Sequence, residues 1–230
     1  MGGRDEYDQY IRGAWARFIA DPSRARTLLD AVSGMDVSRV LDVGCGAGQQ
    51  LLPFVTDRGA LGFGLDPAQD VGLAGRQLYA AHAPTARVQF VRGSAEHLPY
   101  ASGIFDLVIC RLVLPYTDNV QTLSEIARVL REGGALLLKI HHPRFYLRQL
   151  TESVRGRDLG QVIYSLRVLY AGTLYGMTGR QPTGRLTAAR EVFQTEGMVR
   201  RELRRQGLSI SRELPDSDAV TPSFLVVKER

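Results

Sequence analysis

The sequence predicts an α/β fold: a mostly parallel sheet flanked by helices and closed by an antiparallel hairpin. Three observations carry this reading. Short apolar runs recur along the chain, separated by stretches of helical periodicity. The first run leaves through Gly44-x-Gly46-x-Gly48 into a helical pattern, the layout of a ligand-binding turn at a sheet's carboxyl rim. The last two runs lie too close together for a helical crossover, so they must pair as a hairpin.

The first 34 residues read as helices. Ile11, Ala14, Trp15, Phe18 and Ile19 form one amphipathic stripe, which Asp21-Pro22 breaks. Ser23 then caps a second helix carrying Leu28, Leu29 and Val32, and Gly34 ends it. Val40 to Val43 is a short apolar run stopped by Gly44, as a buried strand should be. A helix from about Ala47, a strand Leu61 to Leu65, a helix Ala68 to Ala81 and a strand Val88 to Val91 follow. Further strands are expected at Phe105 to Cys110 and Ala135 to Ile140. Between them runs a helix from about Val120 to Leu130, which Gly133-Gly134 terminates while turning the chain into the strand. Such alternation implies right-handed crossovers with helices on both faces. Residues 141–187 interrupt it: the stretch is rich in aromatic residues and arginine, and Leu159, Val162, Ile163, Leu166, Leu169 and Tyr170 repeat at helical spacing. A helix around Ala188 to Arg205 and the hairpin strands Leu208 to Ser211 and Ser223 to Val227 close the chain.

With 230 residues, the chain suits a single domain over 1–230: a helical cap (1–34), a ligand-binding core (35–140), a helical lid (141–187) and a final helix with hairpin (188–230). The two cysteines, Cys45 and Cys110, belong to no zinc-spaced cluster and to no disulfide framework. No metal is expected, and a reducing cytoplasm fits best. The N-terminus has no apolar signal core, and Glu6 replaces the Ser or Thr of a myristoylation motif. No uncharged apolar run approaches the roughly 20 residues that span a bilayer, so a soluble protein without membrane partners is expected. The net charge is +5, yet Lys139 and Lys228 are the only lysines among 29 basic residues, an arginine bias expected of a GC-rich coding sequence as much as of a binding surface. The densest cluster, Arg200, Arg201, Arg204 and Arg205, surrounds Glu202 at helical spacing and lacks interleaved aromatics. It reads as a solvated helix face rather than a nucleic-acid site.

Chemistry concentrates at the glycine turn. Glycines admit positive φ and let a ligand approach the backbone closely. Gln49 stands where a dinucleotide fingerprint would place its third glycine, which argues against a nicotinamide or flavin enzyme. Asp66-Pro67 ends the second strand 18 residues beyond Gly48. Its carboxylate can cap the next helix or accept both hydroxyls of an adenosine ribose, and the glycine turn before it favours ribose.

Val40-Leu41-Asp42-Val43-Gly44-Cys45-Gly46-Ala47-Gly48 followed by Gly64-Leu65-Asp66-Pro67 resembles the first two motifs of the class I S-adenosylmethionine-dependent methyltransferases. Val91 to Tyr100 resembles the third, Phe105 to Cys110 the fourth, and Leu130 to Ala135 the turn into the fifth strand, in order over residues 38–140. The resemblance implies a Rossmann-like, seven-stranded sheet and S-adenosyl-L-methionine as methyl donor, with S-adenosyl-L-homocysteine as product. It implies that Asp42, Gly44 and Gly46 hold the methionine end, Asp66 takes the ribose and Ser94 and Ala95 read the adenine, with Cys45, Gly48, Pro67 and Glu96 also at the cofactor. Cys110 and Arg111 would then sit beside the sulfonium. Ser94 departs from the Asp common in relatives, and Glu96 is the candidate to compensate.

Methyl transfer needs mainly alignment, and needs a base only for a hydroxyl or a protonated amine. His141 and His142, at the end of the fifth strand, are the candidate catalytic residues, the alternative being polar loop residues. Tyr7, Tyr10 and Trp15 from the cap and Phe145, Tyr146 and Tyr164 from the lid are the candidate substrate-binding residues. Packing within the lid is the competing role for each. A small-molecule acceptor leads, with transfer to O, N or C undecided. The alternatives are a nucleic-acid or protein methyltransferase, against which the missing Asn/Asp-Pro-Pro-Tyr signature speaks, and a non-catalytic binding module, against which the intact glycine turn speaks. The chain acts as a monomer or a homodimer, with the insertion as a candidate interface.

Overall fold

The computed structural model describes residues 2–69, 71–182, 184 and 191–229, with side chains from Tyr7 onward. Seven strands form one sheet in the order β3-β2-β1-β4-β5-β7-β6. They are β1 (Arg39–Val43), β2 (Leu61–Asp66), β3 (Val88–Arg92), β4 (Phe105–Arg111), β5 (Leu130–Lys139), β6 (Leu208–Glu213) and β7 (Ser223–Lys228). The first five are mutually parallel, and β7 runs antiparallel to both β5 and β6, which is the expected hairpin.

The helices are α1 (Gly2–Ala20), α2 (Pro22–Ala31), α3 (Leu52–Asp57), α4 (Leu73–His82), α5 (Asn119–Val129), α6 (Pro143–Arg155), α7 (Leu159–Thr178) and α8 (Glu196–Arg205). Several boundaries differ from the sequence reading, each for a local reason. Asp21, not Ser23, caps α2, its carboxylate accepting the Ser23 amide at 3.1 Å. The helix expected from Ala47 begins only at Leu52, because Gly44, Gly46 and Gly48 all hold positive φ and keep the chain in turns. The helix expected from Ala68 begins at Leu73, behind the left-handed Gly72; Asp70, within the expected span, lies outside the described residues. Gly133-Gly134 do not end a helix: α5 stops at Val129, Leu130 already pairs with Phe105, and the ladder slips between Phe105 and Leu107. At the last helix, residues 188–190 lie outside the described residues, 191–195 are non-helical, and Thr195 caps α8. The insertion holds two helices, α6 packed on α7, around Tyr146, Val168, Ala171 and Tyr175.

Strand alternation then decides what the rim presents. Leu41, Val43, Val108, Cys110 and Leu138 face Leu123 and Ile126 of α5 and Leu203 of α8. The intervening Val40, Leu107, Ile109 and Leu137 face Phe18, Leu28 and Phe54 under the cap. Carried to the carboxyl rim of the parallel strands, where antiparallel β7 begins, this second face ends in Asp42, Arg111, Lys139 and Ser223. Polar groups therefore replace the core just below α1 and α2.

Candidate active site

Between the cap and that rim lies a cavity of about 570 Å³, within the range of small-ligand sites. The glycine turn is its floor. Gly44 and Cys45 both donate their amides to Leu65 O, at 2.7 and 3.0 Å, tying the turn to β2. Only glycine suits position 44: with φ at +70° an added Cβ would stand 2.3 Å from a methyl of Val113. Asp66 organises the turn from the next strand. Its Oδ2 accepts the Gly46 amide at 3.1 Å, and its Oδ1 accepts the Ala68 amide at 3.0 Å and the Tyr7 hydroxyl at 3.1 Å. The capping and ligand-accepting roles weighed for Asp66 are thus compatible, with the Tyr7 hydroxyl occupying a position that a ribose hydroxyl can take. Burial and the facing Asp66 carboxylate push the Tyr7 phenol well above its ordinary pKa.

Asp42 lies beneath the turn, 2% exposed, and its Oδ2 is buried without a hydrogen-bond partner. Burial, reinforced by the charge of Asp66 and opposed by Arg111, raises its pKa to about 8. Gln49 Oε1 and Gln50 Oε1, on residues of the cavity wall, are likewise buried and unpartnered. Buried acceptors without donors are costly, and a bound ammonium or hydroxyl group would relieve them. The aminoacyl and ribose ends of S-adenosylmethionine carry such donors, so the residues present fit this group.

At the other end of the cavity Arg111 pairs with Asp216 and donates to Ser223 Oγ at 3.1 Å, while Lys139 Nζ donates to Asp216 O at 2.7 Å. Burial alone would raise the Asp216 carboxyl, but Arg111 and Lys139 outweigh it and hold the carboxyl below its usual range. Arg17 and Arg24 of the cap also line the wall. Lys139, Asp216, Arg17 and Arg24 escaped the sequence reading. Strand alternation past Leu137 was the available signal for Lys139; the cap arginines and Asp216 belong to no motif.

The cavity thus brings together Tyr7, Tyr10, Gly44, Cys45, Gly46, Asp66 and Arg111, with Asp42 below. Other candidates lie elsewhere. Cys110 is fully buried in the opposite core layer, because it alternates with Arg111 on the strand. Trp15 does not line the cavity: it is 3% exposed and packs edge-on against Tyr79 at 5.1 Å, joining α1 to α4. Gly48 contributes its carbonyl to the Tyr79 hydroxyl at 2.7 Å rather than lining the cavity. Pro67, Ser94, Ala95 and Glu96 lie past Asp66, outside the cavity wall. There Ser94 Oγ donates to Glu96, whose Oε1 accepts the Asp118 amide at 3.0 Å.

The two histidines separate. His142 caps α6, its Nδ1 accepting the Arg144 amide at 3.3 Å, and lines a different surface recess beside Glu196 and Asp218. His141 turns inward, 5% exposed and stacked on Phe145 at 4.2 Å, with Tyr146 at its Nδ1. Burial lowers its pKa to about 4, so the ring is neutral across the neutral pH range. Glu191, overlooked in the sequence, joins this cluster by accepting the Tyr146 hydroxyl at 2.7 Å and the Tyr164 hydroxyl. Among the described residues no group of three or more His, Cys, Asp or Glu is placed to hold a metal, and no helix is long and apolar enough to cross a membrane.

Comparison with known proteins bears on this geometry. Residues 41–138 match a family model described as a methyltransferase domain. An uncharacterised methyltransferase of Bacillus subtilis is 32% identical over 108 residues, covering 45% of this chain and 41% of that protein. A ubiquinone biosynthesis O-methyltransferase of Rhizobium rhizogenes is 35% identical over 130 residues, covering 55% and 48%. The chain therefore spans under half the length of these relatives. In fold it is similar to the magnesium protoporphyrin IX methyltransferase of Synechocystis, solved with bound S-adenosylhomocysteine, with a TM-score of 0.57 at 19% identity over 98% of this chain and 85% of that one.

Proposed function

We propose that this chain, whose residues 41–138 match a methyltransferase domain, is a class I S-adenosylmethionine-dependent methyltransferase that transfers a methyl group to a small-molecule acceptor held between the cap and the α6–α7 helices. The observation that carries the cofactor assignment is the union, in one cavity, of Gly44 and Gly46 of the glycine turn with the Asp66 carboxylate, above the buried, unpartnered Asp42 oxygen. Asp42 would receive the amino group, Asp66 the ribose hydroxyls, and the cations at Arg111 and Lys139 would set a positive field at the far end. When bound, the cofactor supplies an electrophilic methyl group. The protein's own share is to align an acceptor and exclude water. Tyr10 lines the cavity, and Tyr116 and Phe145 flank His141 beyond the cavity's lining, which suits an acceptor with a ring or apolar body that reaches from one to the other. A relative named for O-methylation in ubiquinone biosynthesis supports a small-molecule acceptor in preference to a macromolecule. His141 is the proposed catalytic residue. His142, turned to another face, would serve as a helix cap.

Calorimetric titration with S-adenosylhomocysteine and, separately, with NAD tests the proposal. Micromolar binding of the first alone is expected, weakened about tenfold or more in Asp66→Ala, as loss of charge-assisted hydrogen bonds of roughly 1.5–3 kcal/mol requires. Unchanged affinity in that variant would remove the ribose assignment.

A further inference from the structure

The cluster around His141 has the form of a proton relay. Burial raises the pKa of the Glu191 carboxyl, and the Tyr164 and Tyr146 hydroxyls partly offset this. With Glu191 ionised, the Tyr146 hydroxyl donates to its Oε1 at 2.7 Å, so toward His141 Nδ1, 3.3 Å away, it accepts. That requires the hydrogen on Nδ1 and leaves the lone pair on Nε2. Among the described residues Nε2 has no hydrogen-bond partner, and it is not one of the side-chain atoms sealed from solvent without a partner. The arrangement is rigid on every side. Phe145 lies parallel to the imidazole, at 2° between the planes, and Tyr116 meets it edge-on at 6.3 Å. Glu191, 6% exposed, is fixed by Tyr164 from α7 and by its own segment: Val192 N donates to Pro115 O at 3.1 Å, and Gln194 N donates to His141 O at 2.8 Å. One extended segment thus staples the end of β5 to the turn after β4, and it carries a carboxylate into the lid core.

A buried carboxylate oriented through a tyrosine toward a neutral histidine stabilises one event above others, the arrival of a proton on Nε2. An amine that reaches the site as the free base needs no such group, whereas a hydroxyl must lose its proton as its oxygen gains a methyl group. The geometry points to a hydroxyl acceptor of phenol or enol type, with His141 as proton acceptor and with Tyr146 and Glu191 as positioning residues. This rests on the methyl-transfer reading above. The acceptor oxygen exchanges its proton for the methyl group, and the proton passes to Nε2. The electron pair of the broken carbon–sulfur bond stays on sulfur, so positive charge moves from the sulfonium to the imidazolium, which Glu191 offsets. The groups facing the imidazole are Tyr116 from the turn after β4, Phe145 and Tyr146 from α6, and Glu191 with Tyr164 behind them. Arg148 lies 6.0 Å from the Phe145 ring.

The experiment combines nitrogen-15 NMR of the histidine rings in the free protein with turnover on a phenol and an amine of the same skeleton. Wild type should hold the Nδ1–H tautomer at neutral pH, and Tyr146→Phe should release it to Nε2–H. Glu191→Gln should lower kcat on the phenol about 10-fold to 100-fold with KM within about twofold, and His141→Ala should lower it about 100-fold or more, the usual span for a positioned base. Neither variant should change S-adenosylhomocysteine affinity. An Nε2–H tautomer in wild type, or equal loss on phenol and amine, overturns the relay while leaving the methyl-transfer reading in place. Failure of wild type to bind S-adenosylhomocysteine overturns that reading and the relay with it. If Glu191→Gln does not fold, the Tyr146→Phe tautomer decides alone.

Discussion

Asp42→Asn is expected to stabilise the free protein and to weaken the binding of S-adenosylhomocysteine at once. Asp42 is 2% exposed, one oxygen is unpartnered, and its pKa lies near 8. An unfolded aspartate ionises near 4, so in the free protein this group holds its proton between about pH 4 and pH 8 while the unfolded chain has released it. The sign follows: the contribution is intact below the unfolded value and is lost as pH rises toward 8, at about 1.4 kcal/mol per pH unit. At pH 7 Asp42 therefore costs the free protein a few kcal/mol. Asparagine removes the ionisation, although its amide still needs partners, which leaves a net gain of about 1–2 kcal/mol. For a domain of this size that is a rise in Tm of about 2–8 °C. Binding moves oppositely: an ammonium needs the carboxylate, so affinity should fall about tenfold or more, and wild-type affinity should climb as pH rises from 6 to 8. Thermal melts at pH 6 and 8 with calorimetry on both forms would decide it. A lower Tm with unaltered affinity would refute the reasoning, since Asp42 would then be a structural carboxylate already satisfied in the fold.

Two further outcomes follow from the same contacts. Tyr7→Phe frees Asp66 Oδ1 from a hydroxyl 3.1 Å away, so S-adenosylhomocysteine should bind about twofold to tenfold more tightly, as expected for a charge-assisted hydrogen bond discounted for partial exposure. Weaker binding measured by calorimetry would mean that Tyr7 assists the ligand instead of yielding its place. Trp15→Ala should cost about 3–5 kcal/mol and lower Tm by about 10 °C while leaving the acceptor KM in place, because the ring fills the α1–α4 contact rather than the cavity. A changed KM with an unchanged melt would return Trp15 to the substrate site.

The parts of this molecule that could be read from sequence are those governed by short-range rules. Alternation and turn residues located all seven strands and the hairpin, because burial and pairing act within a few residues. Helix starts were harder. Ala47 and Ala68 are good helix formers, but the chain there is held in turns by neighbours from other elements: Leu65 receives the amides of Gly44 and Cys45, and Phe90 crowds Gly72. Propensity lost to tertiary contact in both places. The glycine turn and Asp66 were legible for the opposite reason, since backbone geometry and strand ends leave few residue types able to occupy those positions.

The cluster around His141 was not legible, and the reason is topological. His141 and His142 are equivalent in sequence, adjacent and ahead of Pro143, yet successive residues leaving a strand point to opposite sides. Only the direction in which β5 ends decides that His142 meets the α6 amide and His141 the aromatic cluster. Glu191 is 45 residues beyond Tyr146, and no periodicity links them; they meet because α6 and α7 return the chain to the rim and residues 191–194 pair with the ends of two strands. A buried glutamate is conspicuous only once its burial is known, since an isolated Glu in a sequence is ordinarily a surface residue. The proposed cofactor contacts lie on the glycine turn and the end of the next strand, and both can be read from the sequence. On the proposed reading, acceptor recognition would draw on side chains from the cap, two turns, α6, α7 and the return segment, so for this chain the acceptor class is argued from the tautomer of a single histidine.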